Sequence, residues 1–185
     1  MSWIQTKSGV HFNPFEAKVE DFRLEDIGHA LSNICRFTGH VKEFYSVAQH
    51  SVIVSEILEH QGHSPEVQLR GLLHDASEAY LTDIARPLKV QGFMSGYRKI
   101  EAELEELIAR AFGISNLPDE RIKVADNMAL RIEMRYLMGN PKDWDDCCYE
   151  YELLPWSLTP YPPKEARGFF FSRLADLVGV DYGAT

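Results

Sequence analysis

Apolar residues recur at intervals of three and four along most of this chain, a period that admits helices and little else. Leu24, Ile27, Ala30, Leu31 and Ile34 mark one amphipathic helix over residues 24–37, ahead of a Gly39-His40 break. Val47, Val54, Ile57 and Leu58 mark a second over residues 45–58. Ser64 and Pro65 suit the N-cap and first position of a third, expected over residues 66–81. Residues 97–112 form a charged, periodic helix that Gly113 closes. Pro118 opens a longer helix that ends at Gly139, and residues 163–178 read as the last. Strand signals are confined to residues 3–5 and His11-Phe12, on either side of Ser8-Gly9, where a short hairpin can form. The expected fold is therefore all-α, with at most a small N-terminal hairpin.

With 185 residues, no internal repeat and no linker-like tract, the chain reads as one domain spanning residues 1–185. It can bury a sizeable core without disulfides or a structural metal. Cys35, Cys147 and Cys148 are odd in number and form no zinc-ribbon pattern, so free thiols and a reducing cytoplasm are expected. No run approaches the ~18 apolar residues of a membrane span, and the N-terminus lacks a basic start followed by an apolar stretch. A formal net charge of −9 argues against sequence-independent binding to a nucleic acid polymer. A small anionic ligand remains compatible, because local cations and a metal ion can reverse the field inside one cleft. One segment departs from the helical pattern. Residues 140–163 are acidic, aromatic and proline-rich (Trp144, Tyr149, Tyr151, Trp156, Tyr161), either a functional loop or a wrap over the core.

Four polar positions stand out within the helical pattern. His50 falls in Ser46-Val47-Ala48-Gln49-His50-Ser51, His74-Asp75 in Leu72-Leu73-His74-Asp75-Ala76-Ser77-Glu78, and Asp126 in Val124-Ala125-Asp126-Asn127. Each is flanked by small or apolar residues, which points inward, and a buried imidazole or carboxylate is costly unless paired or bound to a metal. Three helices carrying such residues can converge on one divalent cation, with Mn, Fe, Co, Ni, Zn or Mg all chemically admissible. His11, His60 and His63 lie in polar or turn contexts and carry no assigned role; His29 and His40 are undecided.

The series His50, His74-Asp75, Asp126 resembles the H…HD…D signature of the HD-domain phosphohydrolases. Leu73-His74-Asp75-Ala76-Ser77-Glu78-Ala79-Tyr80-Leu81-Thr82-Asp83-Ile84, followed by Pro87-Leu88-Lys89, is similar to the bacterial 5′-deoxynucleotidase branch of that superfamily. Arg36-Phe37 looks like that branch's Arg-Trp pair, although phenylalanine alters the nucleobase contact. The resemblance covers residues 24–138 and implies an HD-type helical bundle that hydrolyses nucleotides with a divalent metal. It implies that His50, His74, Asp75 and Asp126 are metal ligands and that Glu78 and Asp83 handle the attacking water. Arg36 would bind phosphate, Phe37 the base, and Lys89 would stand at the mouth of the site. A deoxynucleoside 5′-monophosphate is the favoured substrate. A deoxynucleoside triphosphate cleaved to release triphosphate, as in small phage relatives that destroy dATP, is the alternative. A non-catalytic nucleotide-binding module is the third reading, and a homo-oligomer is left open. Trp3, Ile4, Ser8 and Gly9 lie outside the matched region; they either cap the bundle or contribute to a base pocket.

Overall fold

The computed structural model describes residues 2–116, 118–140, 154 and 156–179. Helices α1 (Leu24–Asn33), α2 (Val47–His60), α3 (Pro65–Leu72), α4 (Glu78–Leu81), α5 (Arg86–Lys89), α6 (Ser95–Phe112), α7 (Glu120–Leu137) and α8 (Pro163–Val178) follow a two-stranded hairpin. Its strands, β1 (Ile4–Gln5) and β2 (His11–Phe12), pair antiparallel with Ile4 opposite Phe12. The expected all-α architecture with a small hairpin is what the chain adopts.

Helix α2 is the axis. Val47, Ala48, Val52, Val54, Ile57 and Leu58 are buried over most of its circumference, with Glu56, Glu59 and His60 left at the surface. It packs against α1, α3, α7 and α8 and separates two apolar clusters. One gathers Ile27, Leu31, Leu72, Leu104 and Phe170, and the other Tyr45, Ile57, Ala129, Ile132 and Leu137. The polar groups of α2 are satisfied one by one, as buried polar groups must be. Ser51 donates to the Val47 carbonyl at 3.0 Å and Ser55 Oγ accepts from Arg173 at 2.9 Å. Gln49 binds Thr159 and Tyr161 at 2.7 and 3.0 Å, which pins the end of the aromatic, proline-rich segment to the core. Leu154 and Leu158 of that segment are buried; its residues 141–153 and 155, with Cys147 and Cys148, lie outside the described residues.

The hairpin caps one end of the bundle. Phe12 is fully buried, stacked on Tyr80 at 4.1 Å, and Ser8 binds both carboxylate oxygens of Asp26 through its amide and hydroxyl. Gly9 turns the chain at φ +89°, a conformation open to glycine.

Two sequence expectations need correction. The first helix stops at Asn33, not residue 37: Cys35 bridges to Ser46, the Arg36 amide donates to the Tyr45 carbonyl at 2.9 Å, and Phe37, Thr38 and Gly39 follow at φ of 57°, 55° and 79°. The expected helix over residues 66–81 is broken. α3 ends at Leu72, a run of tight turns carries His74 to Ser77, and α4 restarts at Glu78. The periodicity is continuous across both breaks, because burial continues while the backbone changes.

α2 and α3 approach closely at Gly71, where an added Cβ would stand 2.3 Å from the buried Leu58 Cδ1. Gly71→Ala therefore costs about 1–3 kcal/mol of stability through overpacking. Urea denaturation checks this, and an unchanged midpoint would show that Leu58 has room to move aside.

Candidate metal centre

His50 sits in the second turn of α2, fully buried. Its Nδ1 lies 2.6 Å from Glu133 Oε1, and its Nε2 lies 3.1 Å from Asp126 Oδ1 and 3.6 Å from Asp75 Oδ2. His74 and Asp75 occupy the turn between α3 and α4, with His74 Nε2 3.2 Å from Asp75 Oδ2 and 3.4 Å from His50 Nε2. The break after Leu72 has a chemical consequence. It leaves the Gly71 carbonyl among the terminal acceptors outside the helical ladder, and that oxygen lies 2.7 Å from His74 Nδ1.

These contacts fix both imidazoles. A carbonyl only accepts, so His74 Nδ1 carries its proton; Glu133, ionised, likewise makes His50 Nδ1 a donor. Neutral rings with protonated Nδ1 must present bare Nε2 lone pairs to each other and to the oxygens of Asp75 and Asp126. Acceptors facing acceptors repel unless a cation lies among them. The electrostatics agree. Burial opposes the charged form of His74, yet Asp75 outweighs it and raises the pKa from 6.5 to about 9. His50 is also raised: burial and Arg36 oppose its charge, and Glu133 and Asp126 prevail. Against their own burial, Asp75 is driven well below the usual carboxylate range, chiefly by His74, and Asp126 is lowered by its hydrogen bond to His50. The set of two imidazole nitrogens and carboxylate oxygens fits a divalent transition metal or magnesium. His50, His74 and Asp75 lie close enough together to contact one ion; Asp126 stands outside that group of three, with its Oδ1 3.1 Å from His50 Nε2.

The remaining sequence-assigned residues surround this cluster unequally. Glu78 is buried at the start of α4 with Oε2 unpartnered; burial, then Asp75 and Asp83, push its pKa to about 9. Asp83 is raised mainly by burial, and Arg36 and Asp75 are its next strongest influences. It follows Thr82, a β-branched residue held at φ 68°, the kind of backbone strain that gathers at functional sites. Arg36 lies 3.3 Å from Glu133 and 3.6 Å from Asp75, so its guanidinium is already engaged by the cluster. Phe37 opens a short 3₁₀ turn, Phe37–Gly39, beyond the end of α1. It is partly buried against the Tyr45 cluster, with the Arg36 guanidinium 5.3 Å from its ring centroid. Lys89 is ion-paired with Glu101 at 2.6 Å. It lines, with His74 and Asp126, a cleft of about 880 Å³ between α3, α6 and α7.

Sequence reasoning passed over Glu133 and Tyr45. Glu133 has no exposed surface and accepts from His50, Tyr45 (2.9 Å) and Arg36. The signal was present: Glu133 lies seven residues, two helical turns, beyond Asp126 among Ala129 and Ile132, on the buried face of α7. His29 faces a smaller cavity beneath the hairpin and His40 is exposed; neither joins the cluster. Trp3, Ile4, Ser8 and Gly9 do not line the large cleft. Among the described residues, no helix is long and apolar enough to cross a membrane.

No family model matches the chain. It is 35% identical over 182 residues to the uncharacterized protein YfdR of Escherichia coli K12, a match covering 96% of each chain. It is 31% identical over 184 residues to an uncharacterized protein of Rhodobacter capsulatus, covering 93% of each. The chain belongs to the family that these proteins form.

The raised pKa values of His74 and Glu78 predict a pH dependence of the metal-free protein. A folded-state pKa above its unfolded value gives stability that is full below the unfolded value and lost as pH rises through the folded one. For His74 the loss runs from 6.5 to about 9, and for Glu78 from 4.5 to about 9. With a chelator present, Tm falls as the pH is raised from about 6 to about 9; a saturating divalent metal reverses much of the fall. A chelated protein whose Tm rises over that interval would show that the imidazoles are not charged in the folded state.

Proposed function

We propose that this member of the YfdR family is a metal-dependent phosphohydrolase of deoxynucleotides, acting on deoxynucleoside 5′-monophosphates. One observation carries the reading. Two imidazoles turned by their Nδ1 partners direct Nε2 lone pairs at two carboxylates, beside a guanidinium and a buried carboxyl group, at the edge of a cleft large enough for a nucleotide. The order of these residues in the chain, and its resemblance to the HD-type phosphohydrolases, support the same conclusion.

His50, His74, Asp75 and Asp126 would hold a divalent cation, which would supply Lewis acidity toward a phosphoryl oxygen and toward water. The chain's own groups do the rest. Hydrolysis joins the water oxygen to phosphorus, breaks the bond to the 5′-oxygen, and requires that oxygen to gain a proton. Glu78 is protonated at neutral pH in the metal-free protein and has one oxygen without a partner. It can therefore hold the water or pass a proton, with Asp83 as the second carboxyl group. Arg36, kept cationic by Glu133 and Asp75 despite burial, offers the fork suited to a phosphate oxygen pair.

The charge of the cleft favours the monophosphate over the triphosphate. Arg70 pairs with Asp119 at 2.8 Å, Lys89 with Glu101, and Lys123 with Glu120 at 3.5 Å. Each basic residue lining the cleft thus already faces a carboxylate, and a triphosphate tail needs surplus positive charge.

Two measurements check the proposal. Incubating deoxynucleoside mono- and triphosphates with Mn, Co, Mg or Zn should release inorganic phosphate from the monophosphates. Release of triphosphate would establish the alternative reaction, and nucleotide binding without turnover would leave only a binding module. Glu78→Ala should retain metal by elemental analysis while turnover falls about 10²–10⁴-fold; near-normal turnover would remove Glu78 from the chemistry.

A further inference from the structure

Two of the carboxylates of α7 face opposite edges of one imidazole. Asp126 and Glu133 are seven residues apart, a rise of about 10 Å along the helix, and the His50 ring lies between them. Nε2 faces Asp126 at 3.1 Å and Nδ1 faces Glu133 at 2.6 Å. Glu133 is fully buried and its oxygens are divided between three donors: Oε1 takes His50 and Tyr45, Oε2 takes Arg36. Tyr45, fully buried just ahead of the Ser46 N-cap of α2, donates to Oε1 while Arg36 donates to Oε2, so both oxygens are held.

We propose that Glu133 is the positioning residue of the centre: it locks His50 into the ring orientation and tautomer that present Nε2 to a metal, and it anchors Arg36 beside Asp75. The inference rests on the metal-site reading above. Without an acceptor at Nδ1, a buried neutral imidazole has no reason to keep its proton there. The proton can move to Nε2, where Asp126 offers an acceptor at 3.1 Å; that nitrogen then has no lone pair for a ligand bond. A carboxylate at Nδ1 also makes the ring a stronger donor to a cation than a neutral acceptor does. The same carboxylate balances the Arg36 guanidinium, 13% exposed, which would otherwise be a weakly compensated buried charge. His74 has no such partner. Its Nδ1 is held by the Gly71 carbonyl, so Glu133 acts on one of the two imidazoles only.

Zinc alone is the probe. Titration calorimetry of the wild-type chain, Glu133→Ala, Glu133→Gln and Tyr45→Phe gives affinity, and ¹⁵N spectra of the zinc-loaded proteins report which His50 nitrogen carries the proton. Glu133→Ala should weaken zinc binding about 10–100-fold and give His50 a mixture of Nδ1-bound and Nε2-bound forms, with His74 unchanged. Glu133→Gln, which keeps an acceptor but not the charge, should fall between it and the wild type. Tyr45→Phe should lower Tm while leaving the His50 spectrum and the affinity within about twofold. Wild-type affinity together with an intact Nδ1–H in Glu133→Ala overturns the inference. Should that variant fail to fold, Glu133→Gln binding zinc as tightly as the wild type does so. A wild-type chain that binds no divalent metal removes the underlying metal-site reading as well, and that arm separates the two failures.

Discussion

The structure turns on a single buried imidazole. His50 lies on the most enclosed helix of the molecule, where α2 crosses α7, and has no exposed surface. A polar ring so placed must be satisfied at both nitrogens, and burial leaves only protein to do it. The crossing supplies those partners from one neighbouring helix, so the contact that packs α2 on α7 also aligns the ring. The flanking segments follow from this. Arg36 and Tyr45 are brought together by the bridge between Cys35 and Ser46, and each adds a donor to the carboxylate that holds the ring. A site assembled this way belongs to the core and inherits its rigidity.

The helices were legible because their signal is local. Spacing of three and four, Pro65 at a helix start and Gly113 after a helix end each depend on a few adjacent residues. The clustering residues His50, His74, Asp75 and Asp126 were legible for a related reason: a histidine or aspartate among apolar neighbours is conspicuous in one dimension. Glu133 was equally anomalous, with Ile132 and Met134 buried on either side of it. It escaped notice because glutamate in an amphipathic, charged helix usually marks the solvent face. Its role depends on a ring 83 residues away in sequence, and no local pattern carries that pairing.

The breaks were illegible for the opposite reason. Phe37 and Thr38 are residues that disfavour positive φ, so nothing in their chemistry announces a turn. They hold it because the chain on either side is tied down by the bridge to Ser46 and by the donation from His40 to the Phe37 carbonyl. Thr82 is similar: its amide closes α4 onto Glu78, its carbonyl accepts from Tyr97, and its own backbone takes the strained conformation between them. Both strained turns stand next to a charged residue within electrostatic reach of the cluster, Arg36 in one case and Asp83 in the other. Strain placed there aims a side chain in a direction that regular helix geometry does not offer.

The break between α3 and α4 carries this logic furthest. In an unbroken helix the Gly71 carbonyl would accept the backbone amide four residues on, that of Asp75. His74 would then lose the acceptor that fixes its tautomer, and Asp75 would point along the helix face instead of back toward His50. Ending α3 at Leu72 releases the carbonyl and sharpens the turn, so adjacent residues can present Nε2 and Oδ2 3.2 Å apart. The two imidazoles are thus held by different means: one by a backbone carbonyl freed at a helix end, the other by a buried side-chain carboxylate. A carbonyl orients without adding charge, whereas a carboxylate orients and makes the ring more basic. The asymmetry fits the surroundings of each ring. His74, at 15% side-chain exposure, borders the cleft; His50, fully enclosed beside Arg36, needs the charge that Glu133 brings.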